Sequence, residues 1–587
     1  MAALPFSSVS PCFSGEIRFS DYGDTAIPRD YGDYPAYAAP VPTSEEEDII
    51  SFQAHPFLRL RIMRKSLLIF ASATLVLAFC LSLNATLSTP SGPAAPAEDG
   101  TMPALTAIAG QGMMSNEAYN DLEELSDYIG GRVTGSPQAG QAIQWGIQKM
   151  RAIGLENVHA EKWQISRGWT RGVAEAQLIT PIHRRLTIDS MGWVGSTKEG
   201  GEEAEVVPVN INHLEDEMKE NSSHWAGKVL MIVKKGEAPK QQPGASGFAK
   251  FGEFLKKAYE AHAVAIIGGQ GGSFATGMHL THTGAMGFDT YYEIPVVSMI
   301  AEDQQQLDRF LDQGKTVRLQ INVQNKVSSG PVDTANVVGE IRGSEHPEQV
   351  IVVGGHLDSW DLADGATDDG CGVATTLGAA KAIKLSGFKP KRTIRFVLFT
   401  GEEQGLLGSL AYTKAHKDEL ANHVAALILD NGQGPVVRLN MGGHDDLIPA
   451  VKKFAESVKG FGDLDVDDRV SFGTDAGPFI LAGLPGINMG QDSPEYKYTH
   501  HSAVDTFDKV KPDMMVRDST MMALSAFWIA DRPERLASPW PAEKTAKMLV
   551  EKHEDVALKA FGIWPFGDMG KDAAAGQAAA QPGGTNK

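Results

Sequence analysis

At 587 residues, 42% of them hydrophobic, the chain is long enough for two structured domains with unstructured ends. Asp and Glu number 73 against 53 Lys and Arg; the net charge of −20 excludes nucleic acid and anionic membrane surfaces as partners, since both need clustered cations. Cysteine is scarce: Cys12 and Cys80 fall in or before an apolar leader, which leaves Cys371 to the folded part and no disulfide there.

The leader is the uncharged stretch 67–83. Arg59, Arg61, Arg64 and Lys65 precede it and no basic residue follows until Arg132, an asymmetry that predicts the preceding segment in the cytoplasm and everything after it outside. Asn84, Ala85 and Thr86 form a small, polar flank, so a cleaved signal peptide is expected over 63–88. Met63 opens what reads as a complete signal, so 1–62 is expected to be either a disordered leader or an upstream extension. The alternative is an uncleaved signal anchor facing outside. A cleaved signal puts the protein in the periplasm or outside the cell as a secreted protein, an uncleaved one leaves it membrane-anchored; a Pro/Ala-rich linker follows at 89–113.

Apolar residues recur at helical spacing over 115–129 and 138–153, each run ending at a glycine, Gly130 and Gly154. Strand-like runs at 176–179 and 186–189 complete the expected first part of an α/β catalytic domain, 114–193. From 194 to 328 the pattern predicts an inserted, mostly β domain, with strands at 228–233, 263–267, 294–298 and 316–323 and a helix around 254–261. No acid/base set recurs in it, so it is expected to frame a site rather than do chemistry. His279 and His282 have a spacing that can put two imidazoles on one metal, but no acid lies near them and their glycine flanks favour a loop.

The catalytic part resumes at 329 and runs to 545. Strands at 349–353, 393–399, 425–429 and 486–489 alternate with helical stretches such as 370–385 and 405–416, the sign of a largely parallel sheet with helices on both faces. A C-terminal tail, 546–587, is Ala-, Gly- and Gln-rich beyond about 567 and is expected to be disordered there.

Candidate metal ligands follow these strands: His356, Asp368, Glu403, Asp430 and His501. The C-terminal edge of an open α/β sheet is where such a fold presents ligands. Two imidazoles and three carboxylates suit a pair of zinc ions, whose four positive charges three carboxylates and a hydroxide balance. Such a pair acidifies a water and polarises a carbonyl, and Glu402, beside Glu403, is the candidate to carry the proton. Asp358 and Asp505 are candidates to accept the second ring N–H of His356 and His501, although either carboxylate also suits a helix start. Taken singly, each ligand has a bland reading as a turn or a helix cap; five in order at strand ends do not. No His-Glu-x-x-His, Gly-x-Ser-x-Gly or phosphate loop is present, and the acidic pair before Cys371 disfavours a thiolate there.

At these residues the chain resembles the co-catalytic dizinc exopeptidases of the aminopeptidase type. The motifs are His356-Leu-Asp-Ser-Trp-Asp, Asp368-Asp-Gly, Pro390-Lys-Arg-Thr, Glu402-Glu-Gln-Gly and His500-His-Ser followed by Asp-Thr, and the likeness extends from about 122 to 528, including Ile129-Gly-Gly-Arg-Val-Thr-Gly-Ser. The resemblance implies that Asp368 bridges both metals, that His356 and Asp430 complete one site and Glu403 and His501 the other, and that Glu402 is the general base. It also implies a protease-associated-type lid, a possible homodimer, a cis peptide between Asp368 and Asp369, and short peptides as substrates. Some members carry Tyr before the last His ligand; here that position is His500, a candidate to stabilise the oxyanion. Two rival readings share the scaffold: a one-metal zinc acyltransferase resembling glutaminyl cyclases, and a non-catalytic binding protein. Which terminus of a peptide is recognised stays open at this level.

Overall fold

The structure, a computed structural model, describes residues 101–237, 247–268 and 279–569. The leader with Cys12, Cys80 and Met63, the linker up to residue 100 and the tail from 570 on lie outside the described residues. Among the described residues no helix is long and apolar enough to cross a membrane.

Among the described residues the strands form two eight-stranded sheets. The chain lays down β1 (Glu156–Ile165), then builds the second sheet from β2 (Trp169–Thr180), β3 (Arg184–Leu186), β4 (Ile188–Ser190), β5 (Glu202–Asn210), β6 (Lys228–Val233), β7 (Ala265–Ile267), β8 (Val296–Met299) and β9 (Arg318–Val327). It returns to the first with β10 (Val332–Ile341), β11 (His346–His356), β12 (Arg392–Phe399), β13 (His423–Ile428), β14 (Val436–Asn440), β15 (Asp465–Asp467) and β16 (Gly486–Gln491). The first sheet has the order β1-β10-β12-β11-β13-β16-β14-β15. Its centre, β12-β11-β13-β16, is parallel, with His356 opposite Phe399 and Ile428 opposite Asn488. The flanking pairs β1–β10, β10–β12 and β14–β16 are antiparallel, so the expected parallel sheet is parallel where the site lies and mixed outside it.

The central strands are unbroken apolar runs because both faces are covered. Val350 and Val352 of β11 face a cluster with Phe399, Tyr412 and Phe479, while Ile351 and Val353 face the larger cluster on the other side. The helices that feed that larger cluster include α1 (Met102–Met113), α2 (Pro137–Ile153), α3 (Cys371–Ser386) and α4 (Pro512–Asp531), together with Ile448–Ser457. Helix α2 starts where Ser136 accepts the Ala139 N–H ahead of a proline, and ends at Gly154 in the left-handed region, φ 83°. Helix α1 overturns the linker expected up to 113: its Ala104, Leu105 and Ile108 are buried, at a spacing that the Pro/Ala composition masked.

The second sheet starts earlier than the boundary expected at 194. Strand β2 pairs antiparallel with β9 from Trp169–Val327 to Thr180–Arg318, and β4 pairs with β8, so the strand-like runs before 194 belong to this sheet. Their partners lie far along the chain, which local patterning does not reveal. Its centre, β5-β6-β7-β8, is also parallel. Phe254 and Leu255 of the helix Gly247–Glu260 fill one face and Leu307 of Ala301–Asp312 the other, so this part is itself α/β where the sequence reads as mostly β.

Candidate metal centre

The sheet brings the five predicted ligands together. His356 ends β11; Asp368 lies in the turn before α3; Glu403 and Asp430 follow β12 and β13; and His501 follows the short helix Tyr496–Thr499 after β16. His356 Nε2 is 3.3 Å from Asp368 Oδ1 and 3.7 Å from Asp430 Oδ1. His501 Nε2 is 2.8 Å from Glu403 Oε2 and 3.4 Å from Asp368 Oδ2. The two oxygens of one carboxylate thus face two separate sets, and His356, Asp368 and Glu403 place ligand atoms within 4.8 Å of one another. Asp430 joins through its approach to His356. The Asp368–Asp369 peptide is cis, as the resemblance implies.

The supporting hydrogen bonds differ from those expected. His356 Nδ1 bonds at 2.9 Å to the backbone carbonyl of Asp358, whose carboxylate oxygen is 3.7 Å away; this acceptor fixes the ring proton on Nδ1 and turns Nε2 to the acids. The Asp358 carboxylate instead accepts the Thr134 hydroxyl at 2.8 Å and the Glu402 backbone N–H at 3.3 Å. Asp505 does not orient His501: it accepts the Thr367 N–H and hydroxyl, both at 2.7 Å, and the Asp368 N–H at 3.1 Å, and so fixes the backbone that carries the bridging carboxylate. Spacing alone does not say which hydrogen a carboxylate two or four residues away will face.

Sequence reasoning also passed over two residues. Asp369 accepts the His356 N–H at 3.0 Å and the Gly372 N–H at 2.9 Å, tying β11 to the start of α3. A Cβ at Gly372 would fall 2.2 Å from that carboxylate, which is why this helix opens on a small residue. Arg132 is fully buried and donates through Nε to Leu357 O (2.8 Å), through Nη1 to Gly130 O (3.1 Å) and Asp364 O (2.7 Å), and through Nη2 to Gly365 O (3.0 Å). Burial pulls its pKa down to about 10 against the pull of Asp505 and Asp358, so it remains a cation beside the acid cluster. Arg132→Met strands four carbonyls and that cluster at once; in urea melts it is expected to cost about 3–5 kcal/mol, and a loss under 1 kcal/mol would refute this role.

His279 and His282 part company. His279 is exposed and its N–H donates to Glu302, whereas His282 is buried, its N–H donating to Ser298 Oγ at 3.0 Å, and among the described residues neither joins a ligand cluster. The segment they flank nevertheless touches the site: Thr283 N–H donates to His501 O at 2.8 Å, and Ala503 N–H to Thr281 O at 3.3 Å. Arg171 of β2 bonds Thr283 Oγ1 at 3.0 Å and pairs with Asp361 at 2.7 Å, holding the second sheet against the loop after His356.

The donor set fits metal ions. Asp368 Oδ2 and Glu403 Oε1 are buried without a hydrogen-bond donor among the described residues, although carboxylate oxygens are rarely left so. Burial, with Asp368 close by, drives the Glu403 carboxyl well above the usual range. Burial lowers His356, but Asp430, Asp368 and Glu402 outweigh it and raise the imidazole well above its ordinary value. A cluster with this excess of negative charge calls for cations. His500 stacks on His501 with centroids 3.8 Å apart and stands 3.8 Å from Asp368 Oδ2; burial, then His501, pushes it down to about 4. The site opens into a cavity of about 510 Å³ lined by Glu402, Tyr496, Phe288 and Phe472 among others.

A mixed α/β sheet with imidazoles and carboxylates converging at the ends of its parallel strands defines a metallohydrolase. The profile of "Peptidase family M28" matches residues 336–525. Carboxypeptidase Q of Mus musculus is 31% identical over 436 residues, 74% of this chain and 90% of that one, and carboxypeptidase Q of Homo sapiens 31% over 437 residues, 74% and 89%. Among solved structures, a peptidase M28 precursor from Shewanella amazonensis superposes with a TM-score of 0.66 at 29% identity, covering 75% of this chain and 99% of that one. The fold is shared with BSAP, a zinc aminopeptidase from Bacillus subtilis, at a TM-score of 0.55 and 20% identity over 72% of this chain and 97% of that one. The chain belongs to peptidase family M28. It is a metallopeptidase, and the resemblance read from its motifs holds.

Proposed function

We propose that this protein is a dizinc exopeptidase that hydrolyses the terminal peptide bond of dipeptides or short peptides. The observation that carries the reading is the Asp368 carboxylate, whose Oδ1 faces His356 and whose Oδ2 faces His501. Two zinc ions, one held by His356 and Asp430, the other by Glu403 and His501, with Asp368 shared, supply an acidified water and a polarised carbonyl when bound. Glu402 lines the cavity next to this set; its carboxylate takes the proton from the attacking water and returns it to the leaving amine. Asp505 keeps the Asp368 backbone still, Asp369 ties the His356 backbone to the start of α3, and the Asp358 carbonyl holds the His356 ring. His500, on the cavity wall, donates to the carbonyl oxygen as it gains charge. His500→Ala is then expected to lower kcat about a hundredfold; turnover within a factor of three of wild type removes His500 from the chemistry. The second sheet acts as the lid. Export through the segment 67–83 and a homodimer belong to the same reading, the latter checked by sedimentation.

The test takes zinc-supplied protein and one dipeptide in free, N-acetylated and C-amidated forms, with and without chelator. Chelator-sensitive cleavage and about two zinc per chain are expected. Cleavage confined to forms with a free amine makes the enzyme an aminopeptidase or dipeptidase; cleavage confined to forms with a free carboxylate makes it a carboxypeptidase. One zinc with cyclisation of an N-terminal glutamine moves the chain to the acyltransferases, and peptide binding without turnover to the binding proteins.

A further inference from the structure

Past the site the cavity changes character. Outside Asp368, Glu402, Glu403, Asp430, His500 and His501 its lining carries no charged side chain among the described residues; Phe288, Leu406 and Phe472 supply apolar wall, and Gln404, Asn431, Ser471, Thr474 and Tyr496 uncharged polar groups. These three come from distant parts of the chain: the segment before β8, the loop after Glu403, and the loop before β16.

Both aromatic walls are backed by the C-terminal segment, which lies beyond the family match ending at 525. The Phe561 ring sits against Phe288 with centroids 4.4 Å apart and planes inclined by 36°. Phe472 packs on the cluster of Leu549, Leu558 and Phe566 with Trp540. On its inner side Phe288 leaves no room for a side chain at residue 405: Gly405 has φ 115°, and a Cβ there would fall 2.3 Å from the ring. The Asp289 N–H donates to Gln404 O at 2.9 Å and fixes this approach. Phe288 is therefore held from both sides, between the loop that carries Glu402 and a helix end that touches nothing reactive.

We propose that Phe288, Leu406 and Phe472 form a subsite for a large apolar side chain of the substrate, and that Phe561 is the positioning residue that sets its width. This rests on the peptidase reading above and adds to it the side chain that is selected. Against these three side chains a charged group would lose hydration and find no ionic partner, whereas a phenyl group exchanges water for ring contacts.

The experiment compares Phe-Ala, Ala-Phe and Ala-Ala as substrates of the zinc-loaded full chain, in wild type, Phe561→Ala and Phe561→Leu. Wild type is expected to favour one phenylalanine dipeptide over Ala-Ala in kcat/KM. Phe561→Ala reduces that ratio about tenfold, chiefly through KM, and Phe561→Leu restores most of it. A merely structural role lowers all three substrates in proportion and leaves the ratio alone, which overturns the proposal. Equilibrium binding of the same dipeptides to the Glu402→Gln protein, alone and combined with Phe561→Ala, reads the subsite without turnover. If wild type cleaves nothing but the binding preference exists and falls with Phe561→Ala, the subsite stands and the peptidase reading fails. If no phenylalanine preference exists in binding or turnover, the subsite fails whatever the peptidase reading does.

Discussion

Glu402→Gln yields a folded, zinc-loaded protein whose kcat on a free dipeptide falls about a thousandfold. The substitution keeps the side chain's shape and the backbone N–H that donates to Asp358, and removes only the capacity to take up and return a proton. Glu402 lines the cavity, and none of the ligand clusters around Asp368 includes it, so zinc content should match wild type within error. Burial, then the nearby Asp430 and Glu403, raises its carboxyl well above the usual range despite His356. Steady-state kinetics beside metal analysis decides the matter: turnover within tenfold of wild type takes the proton transfer away from Glu402, and loss of zinc makes it a ligand instead.

Asp368→Asn removes zinc from both positions, because the residue offers one oxygen to each set. Bound zinc is expected to fall from two per chain to one or none and turnover to background, while Asp430→Ala gives up only the metal on the His356 side. Retention of two zinc ions by Asp368→Asn would break the bridging assignment. Stability falls with or without the metal. In the chelated protein burial raises the Asp368 carboxyl, but the hydrogen bond from His356, then the nearby His500 and His501, outweigh it and hold the group well below the usual carboxylate range, so neutralising it removes a stabilising charge. In the zinc-loaded protein the same change also removes a shared ligand. Thermal melts with and without chelator are expected to show a loss in both, larger with zinc; a gain in the chelated protein would overturn the first half.

The parts of the centre legible in the sequence are those that the sheet generates locally. His356, Glu403 and Asp430 each follow an apolar run that is unbroken because the strand is covered on both faces, and such runs stand out. His501 stands out through its neighbours His500 and Ser502. What stayed hidden depends on contacts across long separations. Arg132 carries no local signal of binding the carbonyls of Leu357 and Asp364, more than 220 residues away. The start of the second sheet was misplaced for the same reason, since β2 is defined by β9. Helix α1 was missed because its composition outweighed its periodicity. For Asp505 the residue was found and its task was not: it holds Asp368, the shared ligand, rather than His501.

The hydrogen bond from the Thr283 N–H to the His501 carbonyl ties the two sheets together at a residue whose side chain faces the acids of the site. Thr283 belongs to a segment anchored on the second sheet, where the neighbouring His282 N–H binds Ser298 of β8 and Thr281 binds Asp189 of β4. If His501 holds a metal ion, its affinity is expected to read how firmly the two sheets are docked, and by reciprocity a bound ion strengthens their docking. Changes on β4 or β8, remote from any reacting atom, then become routes to tune metal occupancy, and metal starvation a route to loosen one sheet from the other.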